Sequence, residues 1–124
     1  MSNIHELTKY NMVYLASPYS KYPTGQENAF VEIAAIAGKL LLHGVRFYSP
    51  ICHTHPIARY GNIDPLDHKI WLPFDEAIMG VCDALVVAKM PTWGKSYGIG
   101  HEMGVFQKAG KPVYFLDPEK MELP

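Results

Sequence analysis

Met12-Val-Tyr-Leu-Ala16 is apolar at every position. A strand with no polar face belongs inside a parallel sheet that helices cover on both sides. That run decides how the rest of the chain is arranged. Downstream, Thr24-Gly-Gln-Glu27 has capping-box spacing and predicts a helix start. Phe30, Ile33, Ala34, Ala37, Leu40 and Leu41 recur at helical spacing as its buried stripe, and Gly44 ends it. Val45–Tyr48 reads as a second strand. Strand, helix and strand joined this closely imply a right-handed parallel crossover.

Asp83–Ala88 and Pro112–Leu116 supply a third and a fourth strand. Pro73 suits the first position of the helix before Asp83, with Phe74, Ala77, Ile78 and Val81 as its buried positions. Between Ser49 and Leu72 lies a long connection, with a short helix opened by Asp64-Pro65; long connections in small domains tend to be functional. Asp117–Pro124 reads as a tail. The alternation predicts an α/β fold, with one domain over residues 1–124. Its sheet is open, mostly parallel and Rossmann-like or flavodoxin-like, with helices on both faces.

Eleven basic residues against twelve acidic ones give a net charge of −1, with no basic cluster to hold a nucleic acid polymer. Apolar runs such as Ala84–Ala88 are too short to cross a membrane, and Met1–Tyr10 lacks a signal-like apolar core. Cys52 and Cys82 have no paired metal or redox spacing. Reduced thiols and a cytoplasmic location are the expectation.

Ser96-Tyr-Gly-Ile-Gly-His-Glu-Met-Gly104 carries the chemistry. Gly98 and Gly100 are expected to turn the chain sharply into a helix and to admit a ligand close to the backbone. Unpaired amides at the start of that helix favour an anion. Ile99, Met103 and Phe106 form its apolar face, and Gly110-Lys-Pro112 stops it. In a doubly wound sheet, strand ends and helix starts share one rim, where ligands bind. Here the rim gathers the 17–23 loop, the 49–60 segment, Asp75 and the 96–102 turn. Asp75 and Glu102 are two carboxylates fit for glycosidic-bond chemistry; each also suits a first helical turn as a partner of the dipole, which for Asp75, beside Glu76, is the simpler reading of the bare sequence. His53-x-His55, with His101, is weak as a metal site and reads as polar lining for a heterocycle. Trp93, Tyr19 and Phe74 are candidates to stack on a base. A dinucleotide fingerprint fails because Met103 stands where the third glycine belongs, and no Walker lysine follows.

Three pieces resemble the nucleoside 2-deoxyribosyltransferase-like family, which includes deoxynucleoside monophosphate N-glycosidases. They are Tyr14-Leu-Ala-Ser-Pro-Tyr19, Asp75 set eight residues before Asp83-Ala-Leu-Val-Val87, and Ser96-x-Gly-x-Gly-x-Glu102. The resemblance implies an N-glycosidase acting on a nucleoside or nucleoside 5′-monophosphate, with base exchange between nucleosides or non-catalytic nucleotide sensing as alternatives. It implies Glu102 as nucleophile and Asp75 as the carboxylate that binds or protonates the base. It puts Ser96 and Gly98 on the 5′-phosphate and Tyr14 or Tyr19 beside the sugar. Ser17, His53, His55, Trp93 and Gly100 complete the expected substrate-binding set. No cofactor and no metal are required, and a homodimer or homotetramer is expected.

Overall fold

The computed structural model describes residues 2–124. In chain order the strands are β1 (Ser2–Asn3), β2 (Val13–Ala16), β3 (Phe47–Tyr48), β4 (Ala84–Ala88), β5 (Val113–Leu116) and β6 (Glu122–Leu123). The α-helices are α1 (Gln26–Leu42), α2 (Pro50–Gly61), α3 (His68–Val81) and α4 (Tyr97–Lys108). Four strands form a sheet in the order β3-β2-β4-β5, with every neighbouring pair parallel. The expected α/β architecture is the observed one.

Alternation along the strands sorts the core into two layers. Val13, Leu15, Ala84 and Val86 face α1, which buries Ala29, Ile33, Ile36, Ala37 and Leu40 against them. Tyr14, Ala16, Leu85 and Val87 face the other way, onto Met79 of α3 and Ile99 and Phe106 of α4. Asp83 takes the amides of Asn11 and Met12 on its Oδ2, locking the starts of β2 and β4 side by side. Chain order runs outward from β2 to β3, then returns across β2 to β4. The switch point therefore lies between the carboxyl ends of β2 and β4, where a crevice opens in such sheets.

Several local expectations are corrected. Thr24 caps nothing: α1 starts from Gly25 at φ 100°, without a side-chain cap, and Glu27 is drawn into side-chain contacts instead. Leu41 is exposed, because the stripe turns through Ile36 and Leu40. Ser49–Leu72 is mostly helix. Ser49 Oγ accepts the Cys52 amide and Pro50 occupies the first turn, a good helix start that the internal Pro56 disguised. Asp64-Pro65 opens no helix; Asp67 caps α3, which begins at His68 and carries Pro73 inside it. The earlier start shifts the buried face to Trp71 and Met79, leaving Phe74, Ala77 and Val81 exposed and Ile78 half-buried. The tail is no loose end: β6 pairs antiparallel with β1. Gly44 and Gly110 do end their helices, at φ 82° and 70°, where a side chain would be strained.

Candidate functional site

A cavity of about 210 Å³ lies beside the switch point. Ser17 and Tyr19 reach it from the loop after β2, and Thr54 from α2. Trp71, Asp75 and Met79 line it from α3, and Ser96, Gly98, His101 and Glu102 from α4.

Helical spacing explains why two carboxyls end up inside. Ile99 and Phe106 are buried against the sheet, and Glu102 lies between them at steps of three and four, on the same stripe. Asp75 stands four residues from both Trp71 and Met79, in the middle of the buried face of α3. Neither helix has an acidic residue in its first turn. The dipole explanation open to both residues from sequence therefore does not apply.

Burial sets their chemistry. Glu102 is pushed up to about 8, first by loss of water and further by the charge of Asp75, with the Tyr14 hydroxyl pulling the other way. Burial alone raises Asp75 to about 6. Two interacting acids at these values hold about one proton between them near neutrality. The phenols of Tyr14 and Tyr48 are both raised, each first by desolvation and then by these carboxyls or by Asp75 alone. Tyr14 Oη, Tyr48 Oη, Asp75 Oδ1 and Ser17 Oγ are buried without a hydrogen-bond partner. Tyr14 offsets the charge at Glu102, yet its hydroxyl falls short of a well-aligned bond to it. Ser17 and Asp75 line the cavity, and the two phenols act on the carboxyls without reaching its wall. Buried polar atoms are seldom left unpaired, so the two on the wall mark a place built to receive polar groups.

At the other wall, Ser96 caps α4 by accepting the Ile99 amide on Oγ at 3.2 Å, and its carbonyl accepts from Gly100. The amides of Tyr97 and Gly98 come before any acceptor within their own helix. A Cβ on Gly98 would meet only Ser96 Oγ, at 3.9 Å. The space beside it is open. The expected sharp glycine turn does not occur, since Gly98 and Gly100 are inside α4 with no positive φ. Gly100 is also off the cavity wall, which Gly98 lines.

The histidines divide. His53 and His55 stand two apart on a helix, so they point to different sides. His53 stacks on Phe74 at 5.1 Å and leans on Tyr48, away from the cavity wall. His55 reaches the cavity only through Tyr19, its Nδ1 2.7 Å from that hydroxyl. His101 lines the cavity and holds Glu76 at 3.0 Å. Trp93 is a packing residue against Phe115, so it offers no stacking face to the cavity. Tyr48, absent from the sequence-based set, joins the polar cluster because β3 ends beside β2, with Tyr48 in register with Tyr14.

A doubly wound α/β protein with a two-carboxyl cavity at its switch point is the class these features define. Residues 11–117 match the family described as a domain of unknown function, DUF1937, and the chain belongs to it. None of the curated proteins matches the chain. Among the described residues, no helix is long and apolar enough to cross a membrane.

The raised carboxyl at Glu102 has a consequence for stability. Between its ordinary value of 4.5 and about 8, the folded protein keeps a proton that the unfolded chain has lost. Stability is therefore full below 4.5 and declines as pH rises through about 8, by an amount on the order of 3–5 kcal/mol from this group. Urea denaturation at pH 5 and pH 8.5 should show that loss in the unmodified protein and much less of it in Glu102→Gln. Parallel losses in both proteins would mean that Glu102 is not desolvated.

Proposed function

We propose that the chain is an N-glycosidase that cleaves the bond between base and sugar in a nucleoside 5′-monophosphate. The observation that carries the reading is the pair of carboxyls on facing helix stripes, raised to about 8 and about 6, lining one cavity with the unpartnered Ser17 hydroxyl. Such a pair supplies one anion and one acid near neutrality, which is what glycosidic cleavage needs. In this reading a Glu102 oxygen forms a bond to C1′ as the C–N bond breaks. The departing electron pair passes to the base, which takes a proton from Asp75. The proton that rests on the pair must sit on Asp75 at that moment; positive charge developing on the sugar favours ionised Glu102 and so drives it there. Water then releases the sugar. A 2-deoxy sugar suits this chemistry because it lacks the 2-hydroxyl that disfavours the cation.

The amides at the start of α4 and the Ser96 hydroxyl supply a seat for the 5′-phosphate. Ser96→Ala should weaken monophosphate binding by roughly tenfold to a hundredfold. The matching nucleosides should change little, although the lost cap costs about 1 kcal/mol of stability. Titration of both ligand classes on the same variant reads the ratio, and equal weakening would move the phosphate elsewhere. The homodimer or homotetramer implied by the resemblance would find an apolar surface in Ile70, Phe74 and Val81, exposed along α3.

Incubation with a mixture of deoxynucleotides and nucleosides, followed by chromatography, tests the reading. Free base and sugar phosphate are expected. Tight binding without base release would mark a nucleotide sensor, and an exchanged nucleoside in the presence of added base would mark a transferase.

A further inference from the structure

Beside the carboxyl pair, a chain of four side chains joins α1, α2 and the loop after β2. Glu27 Oε1 receives His55 Nε2 at 2.8 Å and Arg59 Nη1 at 2.9 Å. His55 Nδ1 lies 2.7 Å from Tyr19 Oη, and Tyr19 lines the cavity. His55 and Arg59 are one helical turn apart, so both reach the first turn of α1. Phe30 stacks on the His55 ring at 4.7 Å and 25°, while Tyr19 meets it edge-on.

The direction of each bond follows from what each group can do. Contact with His55, aided by Arg59, lowers the Glu27 carboxyl, which is therefore ionised and can only accept. His55 must then carry a proton on Nε2. In the tautomer protonated on Nε2 alone, Nδ1 keeps a lone pair. Burial, together with the charge of Glu27, raises the Tyr19 phenol, so it keeps its proton. In that tautomer Tyr19 donates to Nδ1, and its only proton is committed away from the cavity. Toward the cavity its oxygen offers lone pairs alone.

We propose that Glu27 and His55 are positioning residues that make Tyr19 an obligate acceptor, so that this end of the cavity selects a ligand hydroxyl and rejects an anion. The buried, unpartnered Ser17 Oγ lines the same cavity, two residues before Tyr19, and independently points to a polar ligand group here. The cavity then offers three kinds of polar group on a largely apolar lining: the Gly98 amide with the Ser96 hydroxyl, the two carboxyls, and an acceptor at Tyr19. Resting on the nucleotide reading, the group that meets Tyr19 is the sugar 3′-hydroxyl, the one free hydroxyl left on a 2′-deoxynucleoside 5′-monophosphate.

Two readouts test this, the first without any ligand. Nitrogen NMR of the intact protein at neutral pH, with His55 assigned by its absence in His55→Phe, should show the proton on Nε2 and none on Nδ1. Glu27→Gln should lose that fixed tautomer. A proton on Nδ1, or on both nitrogens, would overturn the proposal. The second compares a 2′-deoxynucleoside monophosphate with its 2′,3′-dideoxy counterpart as ligands of Glu102→Gln protein. Loss of the hydroxyl should weaken binding by about tenfold. Adding His55→Phe, with its fold checked by circular dichroism, should shrink that ratio to about twofold or less, because the Tyr19 proton is no longer held away. An unchanged ratio, or equal binding of both nucleotides before the second change, counts against the relay while leaving the glycosidase reading intact. If the unmodified protein releases no base, that reading fails, and the tautomer measurement still decides the relay.

Discussion

Glu102→Gln is expected to lose base release by a factor on the order of 10³ or more while still binding nucleotide. The amide keeps the shape of the side chain but has no anionic oxygen to bond to C1′. Binding should survive because the phosphate seat at α4 and the Tyr19 end of the cavity are untouched. Folding should survive as well, since removing a carboxyl that burial drives to about 8 relieves the folded state above neutrality. The combination is diagnostic. A fall in turnover with near-normal affinity identifies an interaction made only in the transition state. Wild-type-like release from this variant would remove Glu102 from the reaction.

Asp75→Asn should behave differently, and the difference depends on the leaving group. A proton donor matters most when the departing base is a poor anion. Release of natural bases should fall by about 10²–10⁴, the usual range for general acid catalysis. A substrate whose leaving group is already a stable anion should recover much of that rate in Asp75→Asn and none of it in Glu102→Gln. The pH profile carries the same assignment. In the unmodified protein the singly protonated pair predominates between about 6 and about 8. The rate should decline below this window, where the nucleophile is lost, and above it, where the acid is lost. With an activated leaving group, the alkaline decline should disappear. If activated and natural substrates suffer equally in Asp75→Asn, the residue only positions the base, and its proton comes from another group.

Much of the fold was legible because strands and helices have different periods. The apolar runs of β2 and β4 admitted only a covered parallel sheet, and the glycines after α1 and α4 marked their ends. Proline hid what was missed. Pro50 and Pro56 make α2 resemble a loop, on which His53 and His55 would be neighbours on one lining. Pro73 suits the start of a helix, which would put Phe74 inside and make Asp75 a first-turn residue, whereas α3 begins five residues earlier. Starting instead at the Asp67 cap, the spacing of Trp71, Asp75 and Met79 shows a carboxyl on a buried stripe. The same signal, Ile99, Glu102 and Phe106, was present in α4. A carboxyl repeating with apolar residues is the local sign of a buried acid. The relay through Glu27, His55 and Tyr19 had no such sign, because its members come from three segments that meet only in the folded sheet.

The mass of the protein itself, quenched with acid during turnover of a 2′-deoxynucleoside 5′-monophosphate, tests covalent catalysis by Glu102 most directly. The expected result is a fraction of the chain heavier by one deoxyribosyl phosphate, with the added mass on the peptide that contains Glu102 and absent from Glu102→Gln. Base released from a chain that stays unmodified throughout, or an adduct carried by another residue, would contradict it.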